Sequence, residues 1–327
     1  MRVLITGATG FIGSHLTEEL HKKGYQIRCL IRKTSNLEWI QHLPIEYVEG
    51  DYFNFESLQQ AVRDVDYIYH SAGVTKAKNK AGYFEGNHLP TRNLLQAVLT
   101  SNQNLIRFVH ISSGAAVGPS VNNESVNEST PFHPITTYGI SKKIAEEECL
   151  NLMDKIPITI VRPPAVYGPR DKDVFEFFNT MNKGLQPMIG FKDTYVSLIH
   201  VKDLVNGIIL AGEHLNAVGQ TYFISSERYY NWKELGEITA GIMNKRVFRL
   251  RIPKTIIYTI ATVAEFLSSF SSKPALLNIE KAKDMVQDAW IFSIERAKKE
   301  LGFNESLSIE EGIKETVQWY RKHNWLK

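Results

Sequence analysis

Tyr138 and Lys142 stand four apart in Tyr138-Gly139-Ile140-Ser141-Lys142 with no proline between them, so a helix places a phenol and an ammonium on one face. A free phenol titrates near pH ~10 and is a poor base at neutrality, whereas a cation held beside it favours phenolate. That pair is proton-transfer chemistry. Far upstream, Thr6-Gly7-Ala8-Thr9-Gly10-Phe11-Ile12-Gly13 follows directly on the apolar run Val3-Leu4-Ile5. Gly7, Gly10 and Gly13 then fall at a strand-to-helix turn, where missing side chains let backbone approach a pyrophosphate at the positive end of a helix. A glycine-rich turn alone is a weak signal. Here it opens an amphipathic helix carrying Phe11, Ile12, Leu16 and Leu20.

These groups need a scaffold. Apolar runs predict strands at 2–5, 26–31, 45–48, 66–70, 106–111 and 158–162, alternating with helices at 11–23, 55–62, 86–101 and 138–152. The alternation is that of an α/β chain, a parallel sheet wound on both faces, with a ligand crevice at the strand C-termini. The expected dinucleotide-binding domain spans 1–168 plus about 198–225, where a helix (Lys202 to Glu213) and a strand (Thr221 to Ser225) return to the sheet. A smaller mixed α/β substrate lobe is expected from 169–197 plus about 226–327. The stretch 255–270 is largely apolar around Glu265 but shorter than the ~20 residues a spanning helix needs. Packed lobe helix is the favoured reading; an apolar substrate wall or a surface giving peripheral membrane contact are the others.

The ordered motifs resemble the extended short-chain dehydrogenase/reductase family (NAD-dependent epimerase/dehydratase). Further pieces that carry the resemblance are Gly50-Asp51, His70-Ser71-Ala72-Gly73, Asn87, Ser112 to Pro119, Arg162 to Pro169, Ile199 to Leu204 and, near the C-terminus, Ser293 to Phe303 and Ser308 to Gly312. The likeness covers nearly the whole chain. It implies a Rossmann-type fold, with Tyr138 as proton donor and acceptor, Lys142 as its electrostatic tuner that also reaches the cofactor ribose, and Ser113 as the hydroxyl that positions a substrate oxygen. It also implies cofactor contacts from Gly7, Thr9, Gly10, Phe11, Ile12, Gly13, Asp51, Tyr52, Ser71, Ala72 and Gly73, with Pro163 and Val166 near the nicotinamide. Asp51 would face the adenine; as a residue it also suits a solvent-facing turn. Asn87 suits either an N-cap or a place close to the active site. Ala115, Tyr167 and Val196 are substrate-side candidates, and His200 and Asp203 are expected to organise the return helix.

Cofactor choice is written at the end of the second strand, where an NAD site commonly presents an acid to the ribose 2′-hydroxyl. This chain reads Ile31-Arg32-Lys33-Thr34-Ser35, two cations and no acid, which predicts NADP(H) over NAD(H). Arg32 stacked on the adenine would accept either.

Departures from the family pattern narrow the reaction. Dehydratases and decarboxylases of the family carry an acid just after the catalytic Ser/Thr, and here Gly114 and Ala115 stand there. Nucleotide-sugar epimerases usually carry an arginine four residues before the His of the Ile199-His200-Val201 segment, where this chain has Val196. The apolar stretch resembles instead the branch of 3β-hydroxysteroid dehydrogenases, dihydroflavonol reductases and hopanoid-associated epimerase-like proteins. The expectation is therefore hydride transfer between nicotinamide and an apolar ketone or secondary alcohol. Epimerisation through a transient ketone on tightly held NAD, and a non-catalytic nucleotide-binding protein, are the alternatives.

Composition adds bounds. The 327 residues are 43% apolar and 22% charged with net charge +3, which names no nucleic-acid partner. Cys29 and Cys149 stand in no metal-ligand spacing, so buried thiols and no metal are expected. A first strand beginning at residue 2 leaves no room for a signal peptide, and a reducing, cytoplasmic setting is expected. The helices at 86–101 and 138–152 are where relatives dimerise, which implies a homodimer.

Overall fold

The computed structural model describes residues 1–268 and 277–326. Six strands arise where the apolar runs stand: β1 (Arg2–Thr6), β2 (Gln26–Ile31), β3 (Glu46–Glu49), β4 (Tyr67–His70), β5 (Arg107–Ile111) and β6 (Ile158–Arg162). After β7 (Ala165–Tyr167), β8 (Leu185–Ile189) and β9 (Tyr195–His200), the chain returns as β10 (Gln220–Phe223) and finishes with β11 (Tyr229–Asn231), β12 (Phe248–Ile252) and β13 (Ala289–Trp290). One sheet has the order β10-β6-β5-β4-β1-β2-β3, and each of its pairings is parallel. The order reverses between β1 and β4, so the crevice for a ligand opens at the C-termini of those strands.

Helices cover both faces. On one, α1 (Phe11–Lys22) and the return helix Val201–Glu213 bury Leu16, Leu20, Leu204 and Ile208 against Ile5, Val109 and Tyr222. On the other, helices Phe55–Val62 and Leu89–Ser101 bury Leu58, Val62, Leu94 and Val98 against Leu4, Ile68 and Phe108. Burial on both faces is why these strands read as continuous apolar runs rather than as alternation. Cys29 and Cys149 are buried free thiols.

The helix expected over 86–101 begins earlier. Helix starts at Lys80–Tyr83, passes through one π-helical turn at Phe84–His88 and continues as Leu89–Ser101. Asn87 lies inside that turn, so it is not an N-cap. A second sheet joins β11, β9 and β13, with β7 on β9, and β8 pairs β12. The C-terminal stretch divides: Ile294, Ala297, Leu301 and Phe303 pack into the cluster beneath the main sheet, whereas Ile309, Ile313, Val317 and Tyr320 pack with the second sheet.

The 255–270 stretch forms helix Lys254–Ser268 and then leaves the described residues, as does Leu276. Only Ile257 and Ala261 of this helix are buried. Among the described residues the expected packing is confined to Ile257 and Ala261, which meet Ala282, Val286, Ile189 and Ile252, while Ile256, Ile260, Val263 and Leu267 are exposed.

Two buried features tie this scaffold together. Helix Thr137–Leu150 carries Glu146, fully buried, whose carboxylate accepts two bonds from Arg162 Nε at 3.0 and 3.1 Å and one from Nη2 at 2.6 Å, and another from the Ser112 hydroxyl. Replacing Glu146 by Ala leaves the Arg162 guanidinium buried without its counter-ion. Urea unfolding is expected to show a loss of about 3–5 kcal/mol. The second feature is His70, whose Nδ1 meets Thr6 at 2.7 Å and whose Nε2 meets Thr91 at 2.9 Å. Burial, with help from the Lys142 charge, pushes its pKa down to about 3, and the neighbouring His110 is also held neutral. The unfolded chain binds the His70 proton near pH ~6.5 and the folded chain only near 3, so stability falls as pH drops below about 6.5. A His70→Gln variant is expected to flatten that acid limb in thermal melts recorded across pH.

Candidate active site

The glycine turn closes by steric necessity. Gly7 has φ +71°, and a Cβ there would stand 2.7 Å from the Ala72 backbone nitrogen, while a Cβ on Gly13 would meet the Gly7 carbonyl oxygen at 2.1 Å. Gly10 begins α1 with no side-chain cap, and the first turn holds no acidic residue. The result is a helix N-terminus with backbone N–H groups facing the end of β1, a donor set that suits a pyrophosphate. Thr9, Phe11 and Ile12 stand in this turn half-buried, and Ser71 and Ala72 follow β4 beside it, with Ser71 N–H donating to Thr6 O at 3.2 Å. Gly73 lies on the Asn87 side, where a Cβ would meet Asn87 Oδ1 at 2.8 Å.

Arg32 and Lys33 are exposed just past β2, with Arg32 N–H bonded to Ser35 Oγ at 3.0 Å. Asp51 is exposed, and its carboxylate accepts from Phe53 N–H at 2.9 Å in a local turn. The Tyr52 phenol is bonded to the Thr6 side chain, its pKa pushed up to about 12 by burial.

The catalytic candidates come together across β5 and helix Thr137–Leu150. Thr136 caps that helix, its side chain accepting from Gly139 N–H at 3.1 Å. The first turn therefore starts at the level of the β5 C-terminus, where Ser113 caps a short 3-10 turn over Gly114–Ala116. The Ser113 hydroxyl lies near the Tyr138 phenol and favours its ionised form. Burial nevertheless pushes the Tyr138 phenol up to about 12; the Ser113 hydroxyl opposes the rise, and the charges of Asp284 and Asp173 add to it. Tyr138 is thus a protonated group, able to donate. Lys142 is buried and its Nζ donates to Ile111 O at 2.8 Å. Burial lowers its pKa to about 8, Glu146 opposing.

Asn87 braces this arrangement. Its Nδ2 donates to Ser141 Oγ at 2.9 Å and Val74 O at 3.1 Å, its Oδ1 accepts from Val74 N–H at 2.8 Å, and Ser141 Oγ in turn donates to Tyr138 O at 2.7 Å. The π turn aims Asn87 at the helix that carries Tyr138.

The remaining candidates divide. Pro163 accepts from Gly114 N–H at 2.8 Å, setting the β6 end against Ser113, while Val166 is half-buried against the main core. Ala115 sits partly exposed in the 3-10 turn, its carbonyl tight against Gly139. Tyr167 and Val196 stand apart from Ser113, Tyr138 and Lys142. Both are buried in the cluster of the second sheet, Tyr167 against His200 and Gly312, and Val196 between Tyr230 and Trp290 in a strand paired on both edges. His200 caps the return helix, and Asp203 accepts from Ser306 and Leu307, so both organise structure.

Sequence reasoning missed four groups. Glu146 and Arg162 had a readable signal, since Glu146 lies four after Lys142 on the same face. Helix Ile279–Met285 had none. It brings Glu280 to accept from Thr137 N–H, and its Asp284, raised to about 6 by burial, faces Tyr138 electrostatically.

Residues 3–225 match the NAD dependent epimerase/dehydratase family. The chain is 28% identical to the ceramide reductase of Caulobacter vibrioides, over 99% of this chain and 96% of that protein. It is 27% identical to a 3 beta-hydroxysteroid dehydrogenase/Delta 5-->4-isomerase of Mycobacterium tuberculosis, over 98% and 90%. In fold it is similar to the UDP-glucose 4-epimerase of Thermotoga maritima, with TM-score 0.80 and 22% identity over 99% and 100% of the two chains. With the glycine turn shaped for a pyrophosphate and Ser113, Tyr138 and Lys142 gathered at its side, the chain is an enzyme that belongs to the NAD dependent epimerase/dehydratase family.

Proposed function

We propose that this enzyme is an NADP(H)-dependent oxidoreductase that reduces the carbonyl of an apolar small molecule. The observation that supports the reading is the gathering of Ser113, Tyr138 and Lys142 at the C-terminal end of β5, with Lys142 Nζ held by Ile111 O at 2.8 Å and the Ser113 hydroxyl close enough to the Tyr138 phenol to moderate a pKa that burial pushes up to about 12. A phenol held protonated is matched to giving its proton to an oxygen that gains negative charge. Ser113 orients that oxygen. Lys142, whose Nζ donates to Ile111 O, supplies positive charge at the same edge and is the group that would meet the cofactor ribose. The nicotinamide, when bound, supplies or accepts the hydride.

Arg32 and Lys33 at the open end of β2 favour a 2′-phosphate, and Gly114 and Ala115 offer no second proton carrier for dehydration. The similarity to a ceramide reductase and to a hydroxysteroid dehydrogenase supports an apolar ketone or alcohol as substrate class. Pairing of helices Leu89–Ser101 and Thr137–Leu150 with a second copy belongs to the same proposal.

Following NADPH absorbance against steroid, long-chain and aromatic ketones and UDP-sugars tests this reading. NADPH loss with an apolar ketone is the expected result; conversion of a UDP-sugar to its epimer with no NADPH loss would overturn it. In the active combination, Tyr138→Phe is expected to lower kcat by roughly 10²–10⁴-fold with little change in NADPH affinity, as removal of a general acid does. Arg32→Asp is expected to weaken NADPH by about tenfold or more while NADH affinity holds or improves, read by titration of each nucleotide. Equal loss for both would show that Arg32 stacks on the adenine instead.

A further inference from the structure

Helix Lys254–Ser268 shows an uncommon distribution of side chains. Ile256, Ile260, Val263 and Leu267 recur at helical spacing along one stripe, exposed by 47%, 47%, 53% and 63%. The neighbouring stripe, Ile257 and Ala261, packs on Ala282 and Val286 of helix Ile279–Met285 and its C-terminal end, together with Ile189 and Ile252. Those last two residues end β8 and β12. The helix and the β8/β12 ribbon therefore share one small core, and their outward residues surround a common base.

The ribbon is equally unusual. From 245 to 254 the chain reads Lys-Arg-Val-Phe-Arg-Leu-Arg-Ile-Pro-Lys, five cations and no acid, with Phe248 67% and Leu250 47% exposed between the arginines. Phe191, 71% exposed, and Lys192 follow β8 on the same ribbon. Glu237 pairs with Arg249 and Asp288 with Lys254, which leaves the segment strongly positive. Exposed apolar side chains interleaved with cations suit an interface where acyl chains lie beneath anionic headgroups. A water-facing surface has no use for the first, and a purely apolar partner has none for the second.

We propose that helix Lys254–Ser268 and the β8/β12 ribbon form a docking surface for an anionic lipid bilayer. No helix among the described residues is long and apolar enough to cross a membrane, so the contact is peripheral. Its position gives it a use. Helix Ile279–Met285, on which the docking helix packs, also holds Glu280 against Thr137 N–H and Asp284 near Tyr138, so one helix separates the lipid-facing surface from the proton donor. An apolar substrate dissolved in the bilayer then reaches the cleft without crossing water. Docking itself rests on this surface alone; the delivery role rests on the apolar-carbonyl reading above.

The test is flotation of the full chain with phosphatidylcholine vesicles, with and without phosphatidylglycerol, in the absence of nucleotide and substrate. Binding to the anionic vesicles is expected, roughly tenfold or more weaker to phosphatidylcholine alone and reduced by high salt. An Ile260→Ser/Val263→Ser variant and an Arg249→Gln/Arg251→Gln variant are each expected to lose about tenfold in affinity, with far-UV circular dichroism and the melting midpoint unchanged. Failure of the folded wild-type chain to float, or variants that float like wild type, would overturn the proposal. So would a dimer that the Ile260→Ser/Val263→Ser change splits while wild type ignores vesicles, which would assign the face to a second copy. Because the assay contains no cofactor, its failure is separable from failure of the reductase reading, which only the NADPH assay reports.

Discussion

The buried pair between Glu146 and Arg162 is the constraint on which the site depends. Its carboxylate also takes the Ser112 hydroxyl, so one group joins helix Thr137–Leu150 to the ends of both β5 and β6. That joint sets the helix in register against the sheet. Lys142, one turn earlier, then falls beneath Ile111, and Tyr138, two turns earlier, falls beside Ser113. A buried ion pair adds little net stability compared with an apolar replacement, but removing one partner is costly, so it acts as a register lock rather than a source of stability.

Desolvation governs the electrostatics around it. It raises the phenol of Tyr138, lowers the ammonium of Lys142 and keeps His70 and His110 neutral, in each case because burial penalises the charged form. The expectation drawn from residue spacing, that Lys142 sits beside the phenol and pulls it toward phenolate, meets a different geometry: the ammonium is spent on a carbonyl of β5. Burial therefore keeps the Tyr138 phenol protonated, and the hydroxyl of Ser113 moderates the rise.

The second sheet and its helices do what the first cannot. Tyr167 and Val196, which the family resemblance implies near the cleft, lie in the core of that sheet, while helix Ile279–Met285 brings Glu280 to Thr137 N–H and the charge of Asp284 to bear on Tyr138. The same helix carries the exposed apolar helix on its other side.

The sequence alone specified the parallel sheet, the glycine turn and the helix that carries Tyr138 and Lys142, because each is a local matter of period and spacing: Val3-Leu4-Ile5 must be buried on both faces, Gly7 must take a positive φ, and four residues make a helical turn. It also told of the cations after β2, which depend on no distant contact. Tertiary structure decided what depends on residues far apart in the chain. The π turn that turns Asn87 from a cap into a brace answers to Val74 and Ser141, the burial of Val196 answers to strands at 229 and 289, and the outward face of helix Lys254–Ser268 follows from the small cluster of Ala282, Val286, Ile189 and Ile252 on which it packs among the described residues. Spacing along a chain specifies which side chains share a face, whereas only the packing of remote elements specifies what that face meets.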